Sequence, residues 1–329
     1  MTHLPIDPHD VVSVADLRAA GIDARHTAAL VRGGGLVPLT RGWYAARSPA
    51  DPVDRDRLVT EAHRRAYAGS AIPSHYSELV RLGLPLYRAD LATVHLTRLR
   101  SGQARARPGL TVHRSITAAL TAGGWLSERV APALAIVQTG MVCGPMDALI
   151  AADAALHAGL ITHVELGAAL TLVTGLPGTH QLAEFLAGAD ARAESPGETR
   201  LRHTFRLMRL AVISQAEITD GGRTAFADFM LLDYPVIAEF DGLVKYEDRH
   251  GRSGRAALVA EKAREDWLRG LGFEVERVVW SELDHPALLA RRMGQAINRT
   301  KGRPAPAAWV AAVRRAARRD QTLRRPPPA

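Results

Sequence analysis

The chain has 329 residues, enough for two domains, because single cores stop growing at about 250–300 residues. Its apolar fraction of 47% and charged fraction of 23% are those of an ordinary soluble protein. The one cysteine, Cys143, excludes an internal disulfide framework and any zinc site built on several thiolates. Without a basic, apolar leader or an apolar run of about 18 residues, the expectation is a cytoplasmic chain with no membrane span. The formal net charge is +8. Residues 299–329 carry nine Lys/Arg against Asp320, so the first 298 residues balance at 33 basic and 33 acidic groups. Arginine outnumbers lysine 39 to three, which makes Lys245, Lys262 and Lys301 worth inspecting.

Residues 1–50 carry the punctuation of a winged helix-turn-helix. In "SVADLRAAGIDARHTAALVRGGGLVPLTRGWYAA", Ser13 can cap a first helix, with Asp16 completing a capping-box-like pair. Gly21 ends that helix in the left-handed region. Asp23 caps a second helix to about Arg32, and "GGG" stops it. "LVPLT" and "WYAAR" then suit a β-wing around "RG". In such a unit the second helix enters the major groove of DNA. Arg25, His26 and Arg32 would contact groove or phosphates, with Arg41 on the wing. So few basic residues predict modest affinity from this domain alone.

Residues 51–192 form a less informative middle α/β region, largely helical after 130. "LATVHLTR" and "LTVHRS" alternate like paired strands. "GPMDALIAADAALHAGLITHVELGAALTLV" reads as two helices joined at Gly159, with Asp147 and Asp153 exposed or capping. His75, His95 and His113 are separated by strands and loops, without the helical spacing of metal ligands, and read as core or surface histidines.

From 193 the order is αβββαβα, compatible with a mixed sheet flanked by helices. Ser195 caps "SPGETRLRHTFRLMRL", with Pro196 and Glu198 in the first turn. The second and third strands, "TAFADFMLL" and "PVIAEFDG", place Asp228, Glu239 and Asp241 inside apolar runs. Glu239 and Asp241 point the same way. A two-residue turn at Asp233–Tyr234 sets Asp228 opposite Glu239, and one at Tyr234–Pro235 sets it opposite Asp241. A three-residue loop would break the cluster. Like charges facing one another destabilise a sheet, and buried unpaired acids cost several kcal/mol each. A divalent cation, Mg²⁺ or Mn²⁺, resolves that conflict. Lys245 or Lys262 could then act at the phosphate. The plainer reading is a structural acid cluster neutralised by Arg223, Arg264 and Lys262. Residues 299–329 read as a basic tail, solvated and frayed, lying along phosphates or lying on an anionic membrane, with Trp309 and Val313 towards an apolar side. Arg314, Arg315, Arg318 and Arg319 share one helical stripe there.

Two resemblances accompany these readings. "SPGETRLR", Gln215, "ADF", "AEFDG" and "EKAREDWLRGLGFEVERVVW" make residues 193–298 resemble the PD-(D/E)XK nuclease superfamily, in its very-short-patch repair endonuclease-like branch. The resemblance implies a restriction-endonuclease-like domain that hydrolyses DNA phosphodiesters, its metal held by Glu198, Asp228 and Glu239. Asp241 stands where the superfamily normally has lysine. That leaves the lysine's role to Lys245 or Lys262, with Glu261, Lys262 and Arg264 on the helix behind the sheet. "DLRAAGI", "LVRGGGLVPLTRGWY" and "PSHYSELVRLGLPL" make residues 10–120 resemble the N-terminal domain of AbiEi-type antitoxins. That resemblance implies a DNA-binding regulator with a cognate toxin, and a degenerate nuclease fold behind it. The expected fold class is α+β.

Overall fold

The computed structural model describes residues 11–100, 102–115, 129–242 and 252–323, and its architecture is mixed α+β with three sheets. Internal packing divides it into two units between Ala191 and Arg192. Lys245 and residues 324–329 lie outside the described residues.

The first unit begins with β1 (Val11–Ser13), α1 (Val14–Ala19), α2 (Ala24–Arg32), β2 (Val37–Thr40) and β3 (Trp43–Ala45). Ser13 and Asp16 cap α1 reciprocally, and the Asp23 carboxylate accepts the His26 N–H at the start of α2. Gly21, at φ +79, makes the turn between them, a conformation with no steric cost for glycine. Strand β1, too short to carry a legible alternation, pairs with β3 in a sheet ordered β1-β3-β2. Next come α3 (Pro52–Ala66), β4 (Ala71–Pro73), α4 (His75–Arg81), β5 (Val94–Arg98), β6 (Arg105–Arg107) and β7 (Leu110–His113). The second sheet is ordered β4-β5-β7-β6, with β5 and β7 parallel.

Among the described residues, four helices follow in this unit: α5 (Pro132–Cys143), α6 (Pro145–His157), α7 (His163–Thr171) and α8 (Thr179–Leu186). They approach closely because their contacts are small. A Cβ at Gly140 would stand 2.5 Å from Leu182 and 2.8 Å from Ala148. Asp147 and Asp153, expected to be exposed or capping residues, are buried, and the helix carrying them has no side-chain cap bond at its start. Each is kept there by a backbone donor, Asp147 accepting the Arg88 N–H and Asp153 the Asp190 N–H. Such bonds satisfy loop amides that burial would otherwise leave unpaired.

The second unit runs α9 (Pro196–Leu207), β8 (Val212–Asp220), β9 (Arg223–Leu231), β10 (Val236–Asp241), α10 (Arg252–Gly270), β11 (Glu274–Val279), α11 (Trp280–Leu283), α12 (Pro286–Thr300) and α13 (Ala307–Leu323). Its sheet is ordered β11-β10-β9-β8, with β10 and β11 parallel and the other pairs antiparallel. Apolar cores line both faces. One holds Leu201, Phe205, Phe229 and Val236, and the other Ile218, Met230, Ile237 and Leu268.

Helix α13 corrects the expectation of a frayed basic tail. Ala308 and Ala312 are buried in the sheet's second core, with Trp309 and Val313 packed beside them. Trp309 Nε1 donates to the Leu231 carbonyl at 3.2 Å. The apolar stripe that the sequence shows is therefore consumed by packing.

Candidate functional site

The acids of β9 and β10 gather where those strands part. Paired positions Ile237–Met230 and Ala238–Phe229, carried one residue further, set Asp228 opposite Glu239. This is the register of the two-residue turn at Asp233–Tyr234. Beyond that point the ladder gives way to side chains. The Phe240 N–H donates to Asp228 Oδ2 at 2.7 Å, and Arg264 Nη1 donates to the Phe226 carbonyl at 3.2 Å. On the other side of β9, Gln215 of β8 has φ +48, an uncommon conformation for a side-chain-bearing residue. Gln215 and Asp228 fall between the paired positions Ser214–Phe229 and Ala216–Ala227.

Helix α9 brings the fourth acid. Gly197 permits it: a Cβ there would lie 1.9 Å from the Phe240 ring, which itself packs edge-on against Trp280. Glu198 follows in the first turn, 7% exposed. Its carboxylate accepts from Ser195 Oγ at 2.8 Å, the Glu194 N–H at 3.0 Å and Gln215 Nε2 at 3.3 Å. Its capping role and its approach to the sheet thus come from one placement.

Electrostatics separates the acids. Arg264 Nη2 lies 2.6 Å from Glu239 Oε1, and Arg277, opposite Glu239 on β11, lies 3.8 Å from Glu239 Oε2 and 3.9 Å from Asp241 Oδ2. The same two arginines hold Glu261, and Arg277 with Arg269 holds Glu265. Asp228 has no ion pair among the described residues. Burial pushes its carboxyl up to about 7, helped by the charges of Glu198 and Glu239 and opposed by the Phe240 N–H and Arg264. Among the described residues, four carboxylates (Glu239, Asp241, Glu261 and Glu265) thus share three guanidinium groups, Arg264, Arg269 and Arg277, and Asp228 joins none of these pairs.

Lys262 is exposed on α10. Two residues on a helix differ by about 200° in direction, so Arg264, not Lys262, meets the acids. Arg223 is also turned away, stacking over Trp267 at 4.6 Å and donating to the Ala263 carbonyl. Arg277 was missed in the sequence. Its signal was its place in a strand paired with "AEFDG", which only the sheet order reveals.

Residues 25, 26, 32 and 41 are all exposed in the first unit. Arg32 and Arg41 line one open groove of about 650 Å³ with Arg18, which the sequence reading had not singled out. His26 Nδ1 lies 2.9 Å from Asp23. On α13 the arginine stripe divides. Arg315 donates to the Glu217 carbonyl at 2.6 Å, and Arg319 lies 3.3 Å from the Glu217 carboxylate, while Arg314 is exposed. Arg299 and Arg303 pair with Glu274. Arg299, Arg303 and Arg319 are therefore matched by strand acids.

His75, His95 and His113 form a cluster that spacing along the chain concealed. In the parallel β5–β7 pair, His95 faces Thr111 and Thr97 faces His113, which makes the two histidines diagonal neighbours on one face. His75 opens α4 at φ +53 and stacks on His113, with ring centroids 3.8 Å apart. Burial keeps all three neutral, holding His95 and His113 down at about 4 and His75 well below its ordinary range.

No helix among the described residues is long and apolar enough to cross a membrane. No family model matches the chain, and no solved structure matches it. Two proteins of Mycobacterium tuberculosis, from strains CDC 1551 / Oshkosh and ATCC 25618 / H37Rv, are each 28% identical to it over 280 residues. The matched region covers 82% of this chain and 96% of each relative, and both relatives are uncharacterized.

Proposed function

We propose that the chain is a DNA-binding protein whose second unit is a nuclease-fold domain that hydrolyses phosphodiesters with a divalent cation. The observation that carries this reading is Asp228: a desolvated carboxylate beside two acids, without an arginine ion pair among the described residues, at the parting of two strands. Asp228 and the Glu239 oxygen not taken by Arg264 would be the ligands of a hard cation that keeps most of its water and needs only one or two protein carboxylates. Glu198 fits less well as a direct ligand, since both its oxygens already accept hydrogen bonds, and it orients Gln215 beside the site.

Bound Mg²⁺ or Mn²⁺ would supply Lewis-acid neutralisation of the phosphate and a more acidic attacking water. Arg264 and Arg277 hold Glu239 in place and offer N–H donors to a phosphate oxygen. The winged-helix part of the first unit reads as the duplex-binding element, through Arg18, Arg25, Arg32 and Arg41. The test is nicking of supercoiled and linear DNA with Mg²⁺ or Mn²⁺. The reading expects cleavage that Asp228→Asn abolishes while duplex binding persists. Absence of cleavage on single-stranded, double-stranded and mismatched DNA would overturn it.

One observation favours a second reading, a non-enzymatic regulator of the AbiEi antitoxin kind. The guanidinium of Arg264 already stands 2.6 Å from Glu239, as a built-in counter-ion would. That reading expects duplex binding indifferent to divalent cations and a toxin as partner.

A further inference from the structure

We propose that His75, His95 and His113 in the first unit bind one divalent transition-metal ion of the zinc class. Among the described residues they are the group of three potential ligands whose donor atoms lie within 4.8 Å of one another. Ligand nitrogens on a tetrahedral zinc lie about 3.3 Å apart, given Zn–N distances of about 2.0–2.1 Å. His95 Nδ1 and His113 Nε2 are already 2.8 Å apart. That is a hydrogen bond, one ring donating its N–H to the other's lone pair, and an ion bound there would take the place of the shared proton and accept both lone pairs after a slight opening of the rings. Imidazole donors without carboxylates suit zinc, cobalt or nickel over magnesium or calcium.

The surroundings hold the rings as a metal site requires. Ser74 Oγ lies 2.9 Å from His75 Nδ1. Donation of that N–H to the hydroxyl leaves the lone pair on Nε2 and fixes the ring. Ser77 Oγ accepts the His95 backbone N–H at 2.9 Å, and the His95 carbonyl accepts the Ser74 N–H at 3.0 Å. Gln138, buried beneath them, accepts from the His75 N–H and donates to Thr97 Oγ1. The left-handed backbone at His75 is a second, independent sign. A side-chain-bearing residue at φ +53 costs on the order of 1–3 kcal/mol and persists where surroundings over-determine it, commonly at sites of function. His113 is the more open of the three rings, and leaves the fourth coordination position for water or a small ligand. The ion would join the start of α4 to two parallel strands.

The test uses the untagged full-length chain, stripped with chelator and titrated with Zn²⁺ and separately with Co²⁺. We expect one equivalent bound, with the intense visible absorption of tetrahedral Co²⁺. His113→Gln, at the partly exposed ring, should weaken binding by about 100-fold or more, and Ser74→Ala by about 10-fold. His180→Gln, at an exposed histidine beside Glu184, should change nothing. Binding that is absent at micromolar Zn²⁺, or equal in His113→Gln and the unmodified chain, would overturn the proposal. So would binding that only His180→Gln removes.

Discussion

The two polar clusters solve opposite problems. In the second unit, acids crowd a sheet and arginines are brought in against them, with Arg264 spanning Glu239 and Glu261. In the first unit, three imidazoles crowd one another, and burial keeps them neutral against only a weak pull from Asp90 on His95. Charge left in a core demands a partner, whereas a neutral imidazole demands only hydrogen bonds or a ligand for its lone pair. Each cluster also holds one side-chain-bearing residue in the left-handed region, Gln215 in one and His75 in the other. The difference lies in the compensation: fixed cations for the acids, serine and glutamine scaffolding for the histidines.

Removing a fixed cation should have the largest effect. Arg264→Met leaves Glu239, 7% exposed, without its closest counter-charge. Breaking a buried ion pair from one side costs about 3–5 kcal/mol. Chemical denaturation should show that loss in the second unit, and Mg²⁺ should restore part of it if the acids accept a cation. A loss below about 1 kcal/mol would mean that Arg277 alone suffices.

Asp56 sharpens the contrast from the other side. This carboxylate of α3, 2% exposed, has no well-formed hydrogen bond among the described residues, although the Thr60 hydroxyl stands near enough to oppose the effect of burial. Burial pushes it up to about 7 from 3.8, and burial, with this carboxylate's charge second, also raises the Tyr76 hydroxyl. A folded value above the unfolded one means that the folded state holds the proton more tightly. Stability is then greatest below about pH 4 and falls as pH rises towards about 7, by up to about 4 kcal/mol. The difference in stability between the unmodified chain and Asp56→Asn should follow that course between pH 4 and 8. A pH-independent difference would contradict an ionising Asp56.

The second unit was largely legible because its acids break a rule. Asp228, Glu239 and Asp241 each interrupt an apolar strand, and the question they raise leads to the turn, the register and the shared face. The compensating residues were less legible. Arg264 could be named from its helix, but whether it or Lys262 met the acids depended on the helix's rotation. Arg277 depended on β10 and β11 being parallel neighbours. In the first unit, histidine in a strand breaks no rule. Nothing in the spacing of 75, 95 and 113 shows that a parallel pair and a helix start converge. The arginine stripe of α13 misled for a related reason: the helical period was right, but Glu217 on β8 had already claimed Arg315 and Arg319.

That division gives the smallest expected effect. Arg314 is exposed, and Arg314→Glu should leave the melting temperature within about 1 °C, as surface changes usually do. If Arg314 meets phosphate, the slope of log K against log salt should fall by about 0.9 in duplex binding. An unchanged slope would remove α13 from the DNA interface.

The acid site's affinity for a divalent cation decides most directly between the nuclease and regulator readings. Thermal unfolding of the unmodified chain and of Asp228→Asn, with and without millimolar Mg²⁺ or Mn²⁺, measures it by linkage. The account predicts that Asp228→Asn is the more stable of the two without metal, because a like charge has left a desolvated site. It also predicts that metal raises the melting temperature of the unmodified chain alone. Equal shifts in both proteins, or none in either, would contradict a cation held by Asp228.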